Sequence, residues 1–142
     1  MDLKKLMSAN DSWGLFGLRL VTGMIFIAHG LPKFGFMAGP GIESTAAWLG
    51  ELGVPFPIIS AILVASAETI GGMMLIVGFM TRIAAATQVI AMLIAVFLVH
   101  WSNGLVGSGG YQWALLLAAA AFALMMDGAG RYSVDRMMSL DD

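Results

Sequence analysis

The chain has 142 residues, of which 59% are hydrophobic and 11% charged, with a net charge of −2 and no cysteine. A soluble domain carries about 25% charged residues, and the mean hydropathy here is +0.88, so a soluble fold is excluded. The acidic balance excludes a nucleic-acid binder, and the missing cysteine excludes thiol nucleophiles, disulfide relays and iron–sulfur ligation.

In chain order, residues 1–12 form a polar head with Lys4 and Lys5. The first apolar stretch covers 13–31 and meets Pro32. It is too long for the apolar core of a cleaved signal peptide, about 7–15 residues, and it contains Arg19 and His29, so it reads as a retained membrane span. Residues 33–57 form the longest connection. Within it, Ile42, Ala46, Leu49 and Leu52 recur at helical spacing, with Ser44 and Thr45 as cap residues. Together with Trp48 this predicts a short interfacial helix over 42–52, its indole at headgroup depth. A second span covers 58–80 and turns at Thr81-Arg82. A third covers 83–101, a Gly/Ser-rich loop covers 102–110, and a fourth span covers 111–126. Asp127-Gly128-Ala129-Gly130 ends it, and a short polar tail with Arg131 and Arg136 follows.

The fold class is therefore all-α: one membrane domain, 1–142, built as a four-transmembrane-helix bundle with a short interfacial helix between spans 1 and 2. Lys4, Lys5, Arg82, Arg131 and Arg136 fall on one side and Lys33 on the other, which predicts a multi-pass protein of a bacterial-type inner membrane with both termini cytoplasmic.

Ionisable groups within the spans mark candidate sites, because a charge in hydrocarbon costs at least about 2.5–3.5 kcal/mol. Arg19, Thr22, Phe26, His29 and Lys33 share one face of span 1. Ala61, Ala65, Glu68 and Gly72 form a small-residue face of span 2, as helices in close contact require. Arg19 lies about 9 Å from the inner end of its span and Glu68 about 16 Å from the inner end of its own, which predicts an Arg19–Glu68 ion pair. The competing reading lets Arg19 snorkel alone to the headgroups and leaves Glu68 paired elsewhere or protonated. Gln88 reads as an interhelical hydrogen-bonding group.

At the outer ends of spans 1 and 3 stand His29 and His100. Lys33, Trp101, Asn103, Tyr111, Gln112 and Trp113 accompany them. Polar groups converging beside aromatic rings at a membrane interface suit a non-covalently bound amphiphilic ring such as a quinone, with histidine to bond a carbonyl or shuttle a proton. An aromatic belt with interfacial histidines is the bland competitor, and haem held by the two histidines is disfavoured. No metal-ligand cluster, phosphate loop or nucleophile elbow is present. Spans 1 and 3 both end in histidine and spans 2 and 4 both lead to arginine, a pattern that two duplicated hairpins would produce.

Several stretches, in order, resemble the DoxX family of small four-span membrane proteins: Leu18-Arg19-Leu20, His29-Gly30-Leu31-Pro32-Lys33-Phe34, Leu52-Gly53-Val54-Pro55, Glu68-Thr69-Ile70-Gly71-Gly72, Gly78-Phe79-Met80-Thr81-Arg82, His100-Trp101-Ser102-Asn103-Gly104 and Gly128-Ala129-Gly130-Arg131-Tyr132-Ser133-Val134-Asp135. Where the family often has glutamate after Gly-Tyr, Gln112 stands, which argues against a role needing an acid there. The resemblance implies a membrane subunit associated with quinone or redox complexes, such as that of a thiosulfate:quinone oxidoreductase. It transfers no catalytic residue.

Three functions follow as expectations. The first is a quinone-interacting or redox-associated membrane subunit that works with a partner protein subunit. The second is a small-solute transporter or channel, a homo-oligomer with Glu68 as its protonatable group. The third is a non-catalytic membrane scaffold. Membrane lipid is a partner in all three.

Overall fold

The computed structural model describes residues 12–140; the predicted basic head with Lys4 and Lys5 lies outside them. Among the described residues every regular element is helical. Helix α1 is Trp13–Lys33, α2 Gly41–Glu51, α3 Pro57–Val77, α4 Thr81–Ile94, α5 Gln112–Asp127 and α6 Val134–Leu140. A π-helical turn, Ala95–His100, and a 3-10 turn, Trp101–Asn103, prolong α4.

Three of these helices are long and apolar enough to cross a membrane: Trp13–Lys33, Pro57–Val77 and the prolonged α4, Thr81–Asn103. The fourth apolar helix, α5, is shorter, at 16 residues. The helical membrane bundle is thus as expected, with a last helix below the roughly 20 residues that a full crossing takes. The short helix between the first two spans falls one residue from its predicted place. Its expected caps do not act as caps. The helix starts at Gly41, behind Pro40, so Ser44 and Thr45 lie inside it and the Thr45 hydroxyl donates back to the Gly41 carbonyl (2.7 Å). Within the polar tail, Val134–Leu140 forms α6.

Local chemistry sets the boundaries. The Ser12 hydroxyl accepts from the Leu15 N–H (3.3 Å) and caps α1, as serine does from the Ncap position. Gly78 ends α3 in the left-handed region (φ 70°), with Phe79 N–H donating to the Met74 carbonyl (3.0 Å), a Schellman closure that needs glycine. This stops α3 three residues before the predicted end of span 2.

The bundle core runs through Phe26, Leu75, Ala84, Ala85, Met92, Val96, Ala118 and Leu124. Outward positions such as Val21, Met24, Leu63, Ile70 and Ile90 are exposed and apolar, as a lipid-facing surface requires. Helix α1 packs closely against α3, α4 against α5, and α2 mainly against α3. The two backbones of the α1–α3 seam approach closely at Gly23 and Gly72. A Cβ on Gly23 would stand 2.7 Å from the Gly72 carbonyl oxygen, and one on Gly72 would stand 2.8 Å from that of Gly23. Without a hydrophobic drive between helices in lipid, such backbone proximity supplies the association energy.

Gly23→Val is expected to destabilise the bundle by about 1–3 kcal/mol, read as a lower thermal midpoint in detergent. Gly17, whose Cβ would meet nothing within 4 Å, is the control: Gly17→Ala is expected to hold or raise the midpoint, since alanine is the better helix former.

Candidate functional site

The α1–α3 register decides which polar groups meet. Gly23 lies against Gly72, Gly30 against Glu68 and Thr69, and Gly78 against the Arg19 guanidinium. Glu68 is therefore level with Gly30, whereas Arg19 is level with Gly78. Ten helical residues separate those levels, about 15 Å at 1.5 Å per residue, and the expected Arg19–Glu68 ion pair does not form. That expectation measures both depths from helix ends taken as flush. In fact the start of α1 extends past the end of α3, so Arg19 sits at the turn between α3 and α4.

Glu68 pairs instead with Lys33. The Lys33 ammonium donates to the Glu68 carboxylate and to the His29 carbonyl (2.9 Å). The glutamate side chain is only 6% exposed and the lysine side chain 20%. Lys33 also occupies the last turn of α1, where a cation complements the helix dipole. One side chain thus closes a helix end and neutralises a buried carboxylate on the neighbouring helix.

Beside this pair lies a cavity of about 350 Å³, lined by Ala28, His29, Pro32, Lys33, Pro40, Ser44, Thr45 and Trp48. Helix α1 supplies the wall with the imidazole, and α2 supplies the hydroxyls and the indole. Ser44 and Trp48 are four residues apart and so share one face of α2. Pro32 has no N–H to give the Ala28 carbonyl, which removes one intrahelical bond from the turn that borders the cavity. The His29 ring is exposed and makes no hydrogen bond among the described residues. Such a volume is within the ordinary range for a small-molecule pocket, about 300–1,000 Å³.

The predicted site residues therefore divide into two groups. His29 and Lys33 belong to the cavity. His100, Trp101, Asn103 and Tyr111 form a second cluster at the end of α4. There His100 Nδ1 and Asn103 Nδ2 both approach the Gly109 carbonyl (2.7 and 3.0 Å), and a carbonyl partner requires that Nδ1 carry a hydrogen. The Trp101 and Tyr111 rings stack at 5.4 Å with 14° between planes, while Phe97 leans on Trp101. Gln112 joins this cluster through its backbone N–H, which donates to the Leu105 carbonyl (3.1 Å). Trp113 is exposed. The sequence did not single out Ser44, Thr45 and Trp48 as cavity residues; their shared α2 face was the available signal.

Arg19 has a different setting. It is fully buried and donates to the carbonyls of Tyr132 (2.8 Å) and Arg131 (3.4 Å), its guanidinium 5.4 Å from the Phe16 ring centroid. The Asp135 carboxylate accepts from the Met80 and Thr81 N–H groups (2.7 and 2.9 Å), capping α4 from the tail. The Arg82 guanidinium donates to the carbonyls of Met125 (3.0 Å) and Met126 and so closes α5. Gln88 behaves as expected and donates to the Ala67 carbonyl across α3 and α4 (2.6 Å). No group of three or more potential metal ligands occurs among the described residues.

The sequence model of the DoxX family matches residues 14–101, and the chain belongs to that family. It is 32% identical over 111 residues, 78% of each chain, to a Bacillus subtilis protein named "Putative oxidoreductase CatD". It is 28% identical over 149 residues, 95% of this chain and 87% of the other, to an uncharacterized membrane protein of Mycobacterium tuberculosis. It is 29% identical over 124 residues, 83% of this chain and 85% of the other, to the inner membrane protein YphA of Escherichia coli. No solved structure gives a significant match.

Removing one partner of a buried ion pair strands the other charge, at a cost of about 3–5 kcal/mol. Lys33→Met is therefore expected to lower stability sharply, and Lys33→Met with Glu68→Gln to recover most of it, as measured by thermal unfolding in detergent. Exchanging Arg19 and Glu68 is expected to rescue neither single variant. At the other end, Asp135→Ala removes the α4 cap and is expected to cost about 0.5–2 kcal/mol in the same assay.

Proposed function

We propose that this membrane protein is a quinone-interacting, redox-associated subunit and that the quinone ring is held, without covalent attachment, in the cavity between α1 and α2. One observation carries this reading. An imidazole, an indole and two hydroxyls border a single cavity beside a buried ammonium–carboxylate pair. An amphiphilic ring needs an apolar face to lie against and donors at its carbonyl oxygens. Trp48 offers the face, and the His29 ring and the Lys33 ammonium offer the donors. Bound quinone would supply two-electron acceptance. The chain's part is to orient the ring, to place a cation near the oxygen that gains charge, and to hold an exchangeable proton at His29.

The α1–α2 cavity is favoured over the His100 cluster for a geometric reason. His100 Nδ1 and the Asn103 amide are engaged by the Gly109 carbonyl, whereas the His29 ring has no hydrogen-bond partner among the described residues. The "oxidoreductase" in the name of the Bacillus subtilis relative supports the redox part, and the DoxX resemblance supports the quinone part. The chain has no cysteine, so in this reading electrons reach the quinone through a partner subunit. The same reading puts both termini in the cytoplasm, with Arg82, Arg131 and Arg136 on that side and the cavity toward the opposite face.

Protein purified in mild detergent is expected to carry quinone, detected by extraction and chromatography. His29→Ala and Trp48→Ala are each expected to lose most of it, and His100→Ala to keep it. A folded wild-type protein that carries none would turn attention to the transport and scaffold readings. Loss in His100→Ala with retention in His29→Ala would move the site to the other cluster.

A further inference from the structure

We infer that the connection between α4 and α5, residues 101–111, lies inside the membrane interface as a lipid-covered plug rather than projecting into water. The occupant of its exposed surface is the glycerol and upper acyl region of the bilayer.

Depth is the first argument. The Arg82 guanidinium fixes the C-terminal turn of α5 to the start of α4 through the Met125 and Met126 carbonyls, and the charged, exposed Asp127 ends that helix. With Asp127 at one membrane face, the first residue of α5, Gln112, is about 23 Å away at 1.5 Å per residue. The hydrocarbon core is about 30 Å thick. Gln112 therefore lies below the opposite face, and any tilt of α5 places it deeper. Backbone hydrogen bonds tie the loop to this level: Tyr111 N–H donates to the Gly104 carbonyl (3.1 Å) and Gln112 N–H to the Leu105 carbonyl (3.1 Å).

Composition agrees. Between Arg82 and Asp127 the chain carries no Lys, Arg, Asp or Glu, so nothing charged resists burial of this loop. Its exposed side chains include Trp101, Leu105, Val106 and, at the start of α5, Trp113, with Val106 74% exposed. In water these would form an apolar patch of the kind soluble surfaces avoid; at the interface, Trp and Tyr are the favoured residues. The other connection on this side, 34–56, carries Glu43 and Glu51, both exposed.

Irregular backbone is tolerated near lipid only where its polar groups are satisfied. Here the loop satisfies part of its own, and the N–H groups of residues 105–109, which have no backbone partner among the described residues, are left to the ester carbonyls and water of the glycerol region. Gly104 N–H donates to Trp101 and Gly110 N–H to Gly107 (both 3.2 Å), while the His100 ring and the Asn103 amide converge on the Gly109 carbonyl. Two of the polar residues at the end of span 3 thus replace the water that a surface loop would use.

The test uses the full chain, which has no native cysteine. Val106→Cys, Leu105→Cys and, as the water-facing reference, Glu51→Cys are each labelled with an NBD fluorophore and reconstituted in phosphatidylcholine–phosphatidylglycerol vesicles. The 105 and 106 labels are expected to emit to the blue of the 51 label. They are also expected to be quenched by lipids carrying a nitroxide high on the acyl chain, and poorly by iodide. Iodide quenching at 105 and 106 equal to that at 51 would overturn the inference. Protection from both quenchers would also overturn it, because the loop would then be covered by protein. All three positions are exposed, so the labelled proteins are expected to fold, and circular dichroism of each checks this. The result is independent of quinone binding, which these labels do not report.

Discussion

The Lys33–Glu68 ion pair is the interaction from which the arrangement of this protein follows. A carboxylate on a membrane helix must be neutralised or paired, since hydrocarbon offers no solvation. Glu68 meets its partner at the end of α1, where the lysine also completes the last turn through the His29 carbonyl. The pair joins α1 to α3 at one level, and the Gly23–Gly72 approach joins them at another. Two such contacts fix the register of the seam, and the register in turn places His29 at the cavity rim. Lys33, one member of the pair, lines that same cavity.

The opposite end solves the same problem with backbone groups. Arg19 is buried without a carboxylate in salt-bridge contact among the described residues and bonds to the Arg131 and Tyr132 carbonyls. Asp135 caps α4, and Arg82 closes α5. Asp135 and Arg82 each finish a helix end that would otherwise present bare N–H or C=O groups to lipid, and Arg19 satisfies carbonyls of the connection before α6. The tail is thereby a structural member: it returns across the α3–α4 turn, and Asp135 N–H donates to the Gly78 carbonyl (2.9 Å). Charge at this end holds the bundle together, and charge at the other end shapes a cavity.

The helices are legible in the sequence because hydropathy and helical periodicity depend on local runs of side chains. The apolar spans and the short helix after the first of them each lie within one segment, whereas the turn expected at Thr81-Arg82 falls at residues 78–80, because Gly78 stops α3 and Thr81 already begins α4. The ion-pair partner is not legible, because it depends on how far α1 slides along α3. Assigning Arg19 to Glu68 requires flush helix ends, and Gly78 stops α3 early. Histidine placement fails for a related reason. His29 and His100 stand at comparable ends of their spans, but α1 packs against α3 while α4 packs against α5, and depth alone does not determine neighbours. Residue type marks Trp48 for an interface; its place in the cavity wall depends on which face of α2 turns toward α1. The π-helical turn at 95–100 has no signal in residue type or spacing.

The most direct test of this account is a solid-state NMR distance measurement in lipid bilayers between the Lys33 side-chain nitrogen and the Glu68 carboxyl carbon, with selective ¹⁵N and ¹³C labelling. Strong dipolar dephasing between these two nuclei is the predicted result, and it should disappear in Lys33→Met. Absence of that coupling, with the Glu68 carboxyl dephased instead by the Arg19 guanidinium, would contradict the register of α1 on α3 and with it the proposed site.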